Sequence, residues 1–144
     1  MDMIVAKHYA DIEFCRDALL EFRPNLKSVD YLEQVMKMMT CEQFKLVYIP
    51  DDENKKAAAF IGYRRQFMLR TGNMIYIDDL FTNKNYRGRG YANALLEYVK
   101  QEAKSTGIAA IHLDSGYALH TAHRLYLNNG YILDCNHFSQ QTIS

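Results

Sequence analysis

Tyr86-Arg87-Gly88-Arg89-Gly90-Tyr91 sets two glycines one residue apart, interleaved with arginines, directly ahead of a helical pattern. Glycine carries no Cβ, so the main chain there can come close to a ligand. A helix that starts at this point offers unpaired N–H groups and the positive end of its dipole, and both favour a phosphate. Arg87 and Arg89 add charge. The chemistry is that of a pyrophosphate cradle made mostly from backbone. A P-loop would end in Gly-Lys-Ser/Thr, and none is present. A dinucleotide fingerprint needs a small residue three positions after the second glycine, where this chain has Asn93, and no acidic ribose ligand stands out on a second strand.

The flanking elements must hold that loop. Met74 to Ile77 leads through Asp78-Asp79 into Leu80-Phe81-Thr82, a β-rich run that can be buried on both faces, and Asn83-Lys84-Asn85 ends it. After the loop, Ala92, Leu95, Leu96, Val99 and Ala103 recur at helical spacing and form one apolar stripe. Gly107 stands where a left-handed residue would close that helix. Asp78 and Asp79 are neighbours, so a regular strand points them to opposite faces and only one reaches a given pocket. The residues alone do not say which.

Before this unit, Met3 to Lys7 reads as a short strand, and Ile12, Cys15, Leu19 and Phe22 mark a helix face that Pro24 stops. Ser28 is the expected N-cap of a second helix carrying Leu32, Val35, Met36 and Met39 inward. Phe44 to Ile49 and Ala57 to Leu69 read as strands around an exposed turn, with Gly62 marking a bulge or a close approach. After it, Ala109 to Asp114 is a strand parallel to the central one, joined to it through the helix. Thr121 is expected to cap a short helix closed by Gly130, and Tyr131 to Leu133 with His137 to Thr142 to form a terminal hairpin. The pattern is α/β: a mixed, mostly antiparallel sheet with helices on each side.

Arg87-x-x-Gly90-x-Ala92, after a strand and before a helix, resembles the acetyl-coenzyme A signature of the GNAT superfamily of N-acetyltransferases. Ala122-x-x-Leu125-Tyr126-x-x-x-Gly130-Tyr131 is similar to that family's second signature. The resemblance implies the GNAT fold, with its parallel strand-helix-strand coenzyme unit, and acetyl-coenzyme A as cosubstrate without a metal. It also implies that Arg87, Gly88, Arg89, Gly90, Tyr91 and Ala92 hold the pyrophosphate. Leu80, Phe81 and Thr82 would pair through their backbone with the pantetheine and turn an N–H toward the thioester carbonyl. Tyr126 matches the general acid, and Asp78 or Asp79 the carboxylate that takes a proton from the amine. Leu119 stands where many relatives carry Asn or Arg, so that polar role passes to Ser115 or His120, or is missing. Tyr76 and the tyrosines at 48, 63 and 117 are expected around the same mouth.

Composition sets the outer bounds. At 144 residues, 49% hydrophobic and 24% charged, the chain reads as one soluble domain, a single N-acetyltransferase domain over residues 1–144. Seventeen basic residues balance seventeen acidic ones, which argues against a general nucleic-acid binder. No apolar run reaches the length of a membrane span, and the start of the chain does not read as a signal peptide. Cys15, Cys41 and Cys135 are odd in number and not spaced for metal, and read as buried thiols of a cytoplasmic protein. The expected activity is acetyl transfer to a primary amine of a small molecule. A sensing or binding module for acyl-coenzyme A, or an acetyltransferase for peptide or protein amines, is the alternative. A small amine is the expected partner, with no nucleic acid and no membrane, and a homodimer is left open.

Overall fold

The computed structural model describes residues 1–143. Alternating and continuous apolar runs build strands β1 (Ile4–Val5), β2 (Lys45–Asp51), β3 (Lys56–Met68), β4 (Gly72–Thr82) and β5 (Ile111–Leu113). They form a mixed sheet in the order β1-β2-β3-β4-β5, antiparallel throughout except for the parallel β4–β5 pair. The helices are α1 (Tyr9–Phe14), α2 (Arg16–Phe22), α3 (Tyr31–Cys41), α4 (Tyr91–Ser105) and α5 (His120–Asn128). Contacts divide the chain into two compact units, one ending at Leu113 and containing the whole sheet, the other starting at Asp114 and containing α5.

In the first unit each face of the sheet has its own cover. Leu46, Tyr48 and Phe60 point to α1–α3 and pack with Ile12, Cys15, Leu19 and Val35. On the other face α4 lies against β2, β3 and β4 with Leu95, Leu96, Val99 and Ala103 buried. Tyr63 donates to Glu102 Oε1 of α4 at 3.0 Å, and Lys45 reaches the same oxygen at 3.0 Å. Tyr48 instead donates to Asp11 Oδ1 at 3.0 Å on the α1 side. The expectation that these two tyrosines share one mouth is therefore corrected: both are buried, on opposite faces.

Gly62 is the close approach that its position in β3 suggested. A Cβ there would lie 2.4 and 2.7 Å from ring carbons of Phe44, itself buried. The β3–β4 register also shifts at this point: Gly62 faces Asp79 and Tyr63 faces Ile77, so Asp78 is the extra residue of a bulge. We expect Gly62→Ala to destabilise the protein by about 1–3 kcal/mol, because the Phe44 ring must move inside a packed core. Denaturant unfolding checks this, and trimming the ring in Gly62→Ala/Phe44→Leu should recover part of the loss.

Several boundaries differ from the sequence reading. The first helical pattern is broken at Cys15, where α1 ends in a tight turn and α2 begins. Asp30, not Ser28, caps α3, its carboxylate accepting from Glu33 N at 3.2 Å. Pro24–Ser28 forms a 3-10 turn instead. β2 runs past Ile49 to Asp51 through a second register shift, and β5 is shorter than Ala109–Asp114. α5 starts at His120 behind Leu119, so Thr121 lies inside it. The expected terminal hairpin is not formed: no strand follows β5 among the described residues, and Ile132, Leu133 and Phe138 are 78–90% exposed. A strand pair needs a face to bury, and these residues have none. Tyr117 OH to Asn136 Oδ1 at 3.3 Å and His137 Nδ1 to Asp114 Oδ1 at 3.5 Å take up polar groups there instead. Cys15 is buried as expected, but Cys41 and Cys135 are exposed.

Candidate active site

The bulge decides where the two aspartates go. In a regular strand Asp78 and Asp79 would face opposite ways. Here Asp79 lies across from Gly62, with Oδ2 3.6 Å from the position of a Cβ there, on the Phe44 side of the sheet. Asp78 reaches Arg64, whose guanidinium lies 5.5 Å over that same Phe44 ring. The expectation that only one aspartate can serve a given face is thereby corrected: the extra residue breaks the alternation, and both carboxylates stand on the α1–α3 side.

Each carboxylate has an arginine, which sequence reasoning missed. Arg64 of β3 grips Asp78 as a fork, Nε to Oδ1 at 3.0 Å and Nη2 to Oδ2 at 2.7 Å. Arg23, just after α2, donates from Nε to Asp79 Oδ1 at 2.7 Å and from Nη2 to the Asp78 carbonyl at 3.3 Å. Burial pushes the Asp78 carboxyl above its ordinary value; the Arg64 fork pulls it down and the neighbouring Asp79 charge pushes it up again. Burial wins.

From the bulge onward β4 has an open side. Its ladder with β5 covers only Ile75 to Ile77, so among the described residues only β3 pairs with the stretch from Asp78 to Thr82. Leu80, Phe81 and Thr82 are half-buried there. Asn83 then ends the strand: its N–H bonds Ala58 O at 2.9 Å and its side chain accepts from Asn85 N at 3.1 Å. The 3-10 turn Lys84–Tyr86 leads straight to the glycines.

Gly88 (φ 78°) and Gly90 (φ 81°) are both left-handed, and a Cβ on either would meet nothing within 4 Å. Gly90 is the N-cap of α4 and supplies no capping side chain. The first bond inside the helix runs from Ala94 N to Gly90 O at 3.0 Å, so the Tyr91 and Ala92 amides have no helical carbonyl to bond. Arg87 Nε donates to Thr82 O at 3.3 Å, which ties the loop to the open stretch of β4. Arg89 Nη2 donates to Asn85 O at 3.3 Å and its guanidinium lies 5.2 Å over the Tyr86 ring. Space, positive backbone and two arginines suit a pyrophosphate.

A family model described as Acetyltransferase (GNAT) family matches residues 12–131. The chain belongs to the GNAT family. An uncharacterized N-acetyltransferase of Bacillus subtilis strain 168, YhdJ, is 29% identical over 106 residues, 74% of this chain and 73% of that protein. Among solved structures, a putative acetyltransferase from Agrobacterium tumefaciens C58 superposes with a TM-score of 0.82 at 16% identity, covering 99% of this chain and 100% of that one. Glucosamine-6-phosphate N-acetyltransferase of Arabidopsis thaliana gives 0.73 at 14% identity, with 99% and 100% covered. These structural likenesses establish the GNAT fold. The protein is an acyltransferase of that family, whose enzymes use acetyl-coenzyme A. The cradle and the open edge of β4 fit that cosubstrate.

Tyr126 lies on α5 in the second unit. Its ring meets Tyr131 edge-on, with centroids 5.8 Å apart, and its carbonyl accepts from Tyr131 N at 3.0 Å. Burial raises its phenol above the ordinary value and pushes Tyr131 up to about 12. Leu119, half-exposed, leaves the start of α5 without a side-chain cap. Ser115 Oγ, one of the residues to which the polar role was expected to pass, is buried with no hydrogen-bond partner. His123 Nε2 is 2.8 Å from Gly116 O, a structural contact.

Proposed function

We propose that this GNAT protein moves an acetyl group from acetyl-coenzyme A to a primary amine of a small molecule by direct attack, with no covalent enzyme intermediate. One observation carries the reading: the open edge of β4 runs from a bulge bearing two carboxylates to the uncapped glycine start of α4. The amides of Arg89 to Ala92 hold the pyrophosphate, with Arg87 adding charge. Leu80 to Thr82 take the pantetheine as an added strand and offer an N–H to the thioester oxygen, where charge develops.

The amine nitrogen attacks the carbonyl carbon; the new C–N bond forms, the C–S bond breaks and its electron pair stays on sulfur. An aliphatic amine is mostly protonated at neutral pH, so a base must take its proton. Asp78 is that base, with Asp79 beside it, and the spare lone pairs of its oxygens remain available although Arg64 uses one on each. Tyr126 gives the sulfur its proton. Thiol release from acetyl-coenzyme A against a panel of amino acids, polyamines, aminoalkyl compounds and peptides tests the reading. Tight binding of the coenzyme with no release against any amine would point to the sensing alternative.

The base assignment carries a pH dependence. Asp78 must be ionised to accept a proton, and its carboxyl lies above the ordinary range. Activity is therefore present above that raised value and lost as pH falls through it, at higher pH than an ordinary carboxylate with pKa ~3.9 would give. A profile of kcat/KM for wild type and a folded Asp78→Asn protein checks this: the acidic limb should vanish with most of the rate.

Arg87 tests how much of the coenzyme hold is side chain. Arg87→Ala should weaken coenzyme binding by about 1–2 kcal/mol, the scale of one charge-assisted contact. Calorimetry reads it directly. Complete loss of binding would mean that side chains, not amides, hold the phosphates.

A further inference from the structure

Paired aspartates at an acceptor site suggest a cationic substrate held by charge alone. The bulge does not present them that way. Asp78 is paired with Arg64 and Asp79 with Arg23, so the quartet carries no net charge. Glu42 Oε2 comes no nearer than 4.0 Å to Arg64 and its side chain is 62% exposed, so solvent screens it. A ligand that is only a cation meets two guanidinium groups along with the two carboxylates.

The two arginines differ in what they leave open. Arg64 spends its fork on Asp78 and is largely covered, with 18% of its side chain exposed. Arg23 uses Nε and Nη2 for Asp79 and the Asp78 carbonyl, its Nη1 edge takes no part in those bonds, and 46% of its side chain is exposed. It is also held in place. Its guanidinium lies 4.3 Å over the Phe22 ring, and Phe22 stacks on Phe81 of the open β4 segment, with centroids 5.0 Å apart and planes 22° apart. An oriented, half-exposed guanidinium thus stands beside two carboxylates, one stacked ring away from the stretch proposed for the thioester. Planar forks of this kind recognise carboxylates and phosphates.

We infer that the acceptor carries an anionic group, a carboxylate or a phosphate, close to the amine that is acetylated, and that Arg23 binds it. The inference rests on the acetyltransferase reading above and names its substrate class. The amine nitrogen then faces Asp78 and Asp79 while the anion takes the outer edge of Arg23, so a zwitterion satisfies both halves of the quartet.

Matched acceptors test this, each pair differing only in the anion: α-amino acids against the amines left on removing the carboxylate, and 2-aminoethyl phosphate against ethanolamine. Thiol release gives kcat/KM for each, corrected for the fraction of free amine. We expect at least one anionic member to exceed its partner by about tenfold or more, the scale of one charge-assisted contact. The two kinds of pair show whether carboxylate or phosphate is preferred. Arg23→Gln should bring that ratio toward one with coenzyme affinity kept, and Arg23→Lys should retain part of it. Anion-free amines that are equal or better substrates for wild type would overturn the inference and leave the acetyltransferase reading standing. So would an Arg23→Gln protein that keeps the full ratio. If Arg23→Gln does not fold, the wild-type ratios still decide. Absence of thiol release with acceptors of either kind overturns the activity itself, and the inference with it.

Discussion

Tyr126→Phe should slow acetyl transfer by roughly 10²-fold or more, the usual scale for one acid–base group, while coenzyme affinity stays nearly unchanged. The substitution removes one hydroxyl and keeps the ring that packs on Tyr131. The departing thiolate needs a proton, and burial keeps the Tyr126 phenol protonated throughout the working pH range. A limit is built in: a coenzyme thiol with a pKa near that of cysteine, ~8.5, can partly leave unaided, so activity should not vanish. The measurement is the transfer rate with a confirmed acceptor, beside coenzyme binding by the same protein. An unchanged rate would reduce Tyr126 to a packing residue of α5.

Gly90→Val should weaken coenzyme binding on the order of 100-fold, more than Arg87→Ala does. A side chain at this φ of 81° enters the space that the cradle keeps open, where a Cβ meets no protein atom within 4 Å. The same left-handed backbone makes valine costly, by about 1–2 kcal/mol, wherever it is placed. Gly107→Val separates the two effects. Gly107 has φ 73° and equally open surroundings, but stands beyond the far end of α4. It should lose similar stability and keep its coenzyme affinity. Equal affinities in both variants would remove the phosphate from Gly90.

The strand, loop and helix around the glycines were legible because each depends on local signals: an apolar run, two residues without Cβ and a stripe at helical spacing. The closing Gly107 and Gly130 were legible for the same reason, and both are left-handed. What could not be read was pairing. Gly62 marked a bulge, but a bulge belongs to two strands, and only the register shows that the extra residue is Asp78. The partners Arg23 and Arg64 are hidden for that reason, since Arg23 lies 56 positions before Asp79. The terminal hairpin failed in the opposite direction: apolar residues with a plausible turn do not make a ladder without a face to cover.

The bulge also fixes the kinds of change that β4 tolerates. Tyr76 pairs with Arg64 and Phe81 with Phe60, and with the extra residue between them both stand on the α1–α3 side although an odd number of positions separates them. Flattening the bulge with every residue kept would turn one half of the strand inside out. Deleting Asp78, by contrast, would leave Tyr76 and Phe81 an even number of positions apart and still on that side. Exchanging its side chain leaves that parity alone. During divergence, then, neither a change of identity at the extra residue nor its loss alters which way the rest of the strand faces, and a lineage can change what the proposed acceptor wall recognises without altering where the wall stands.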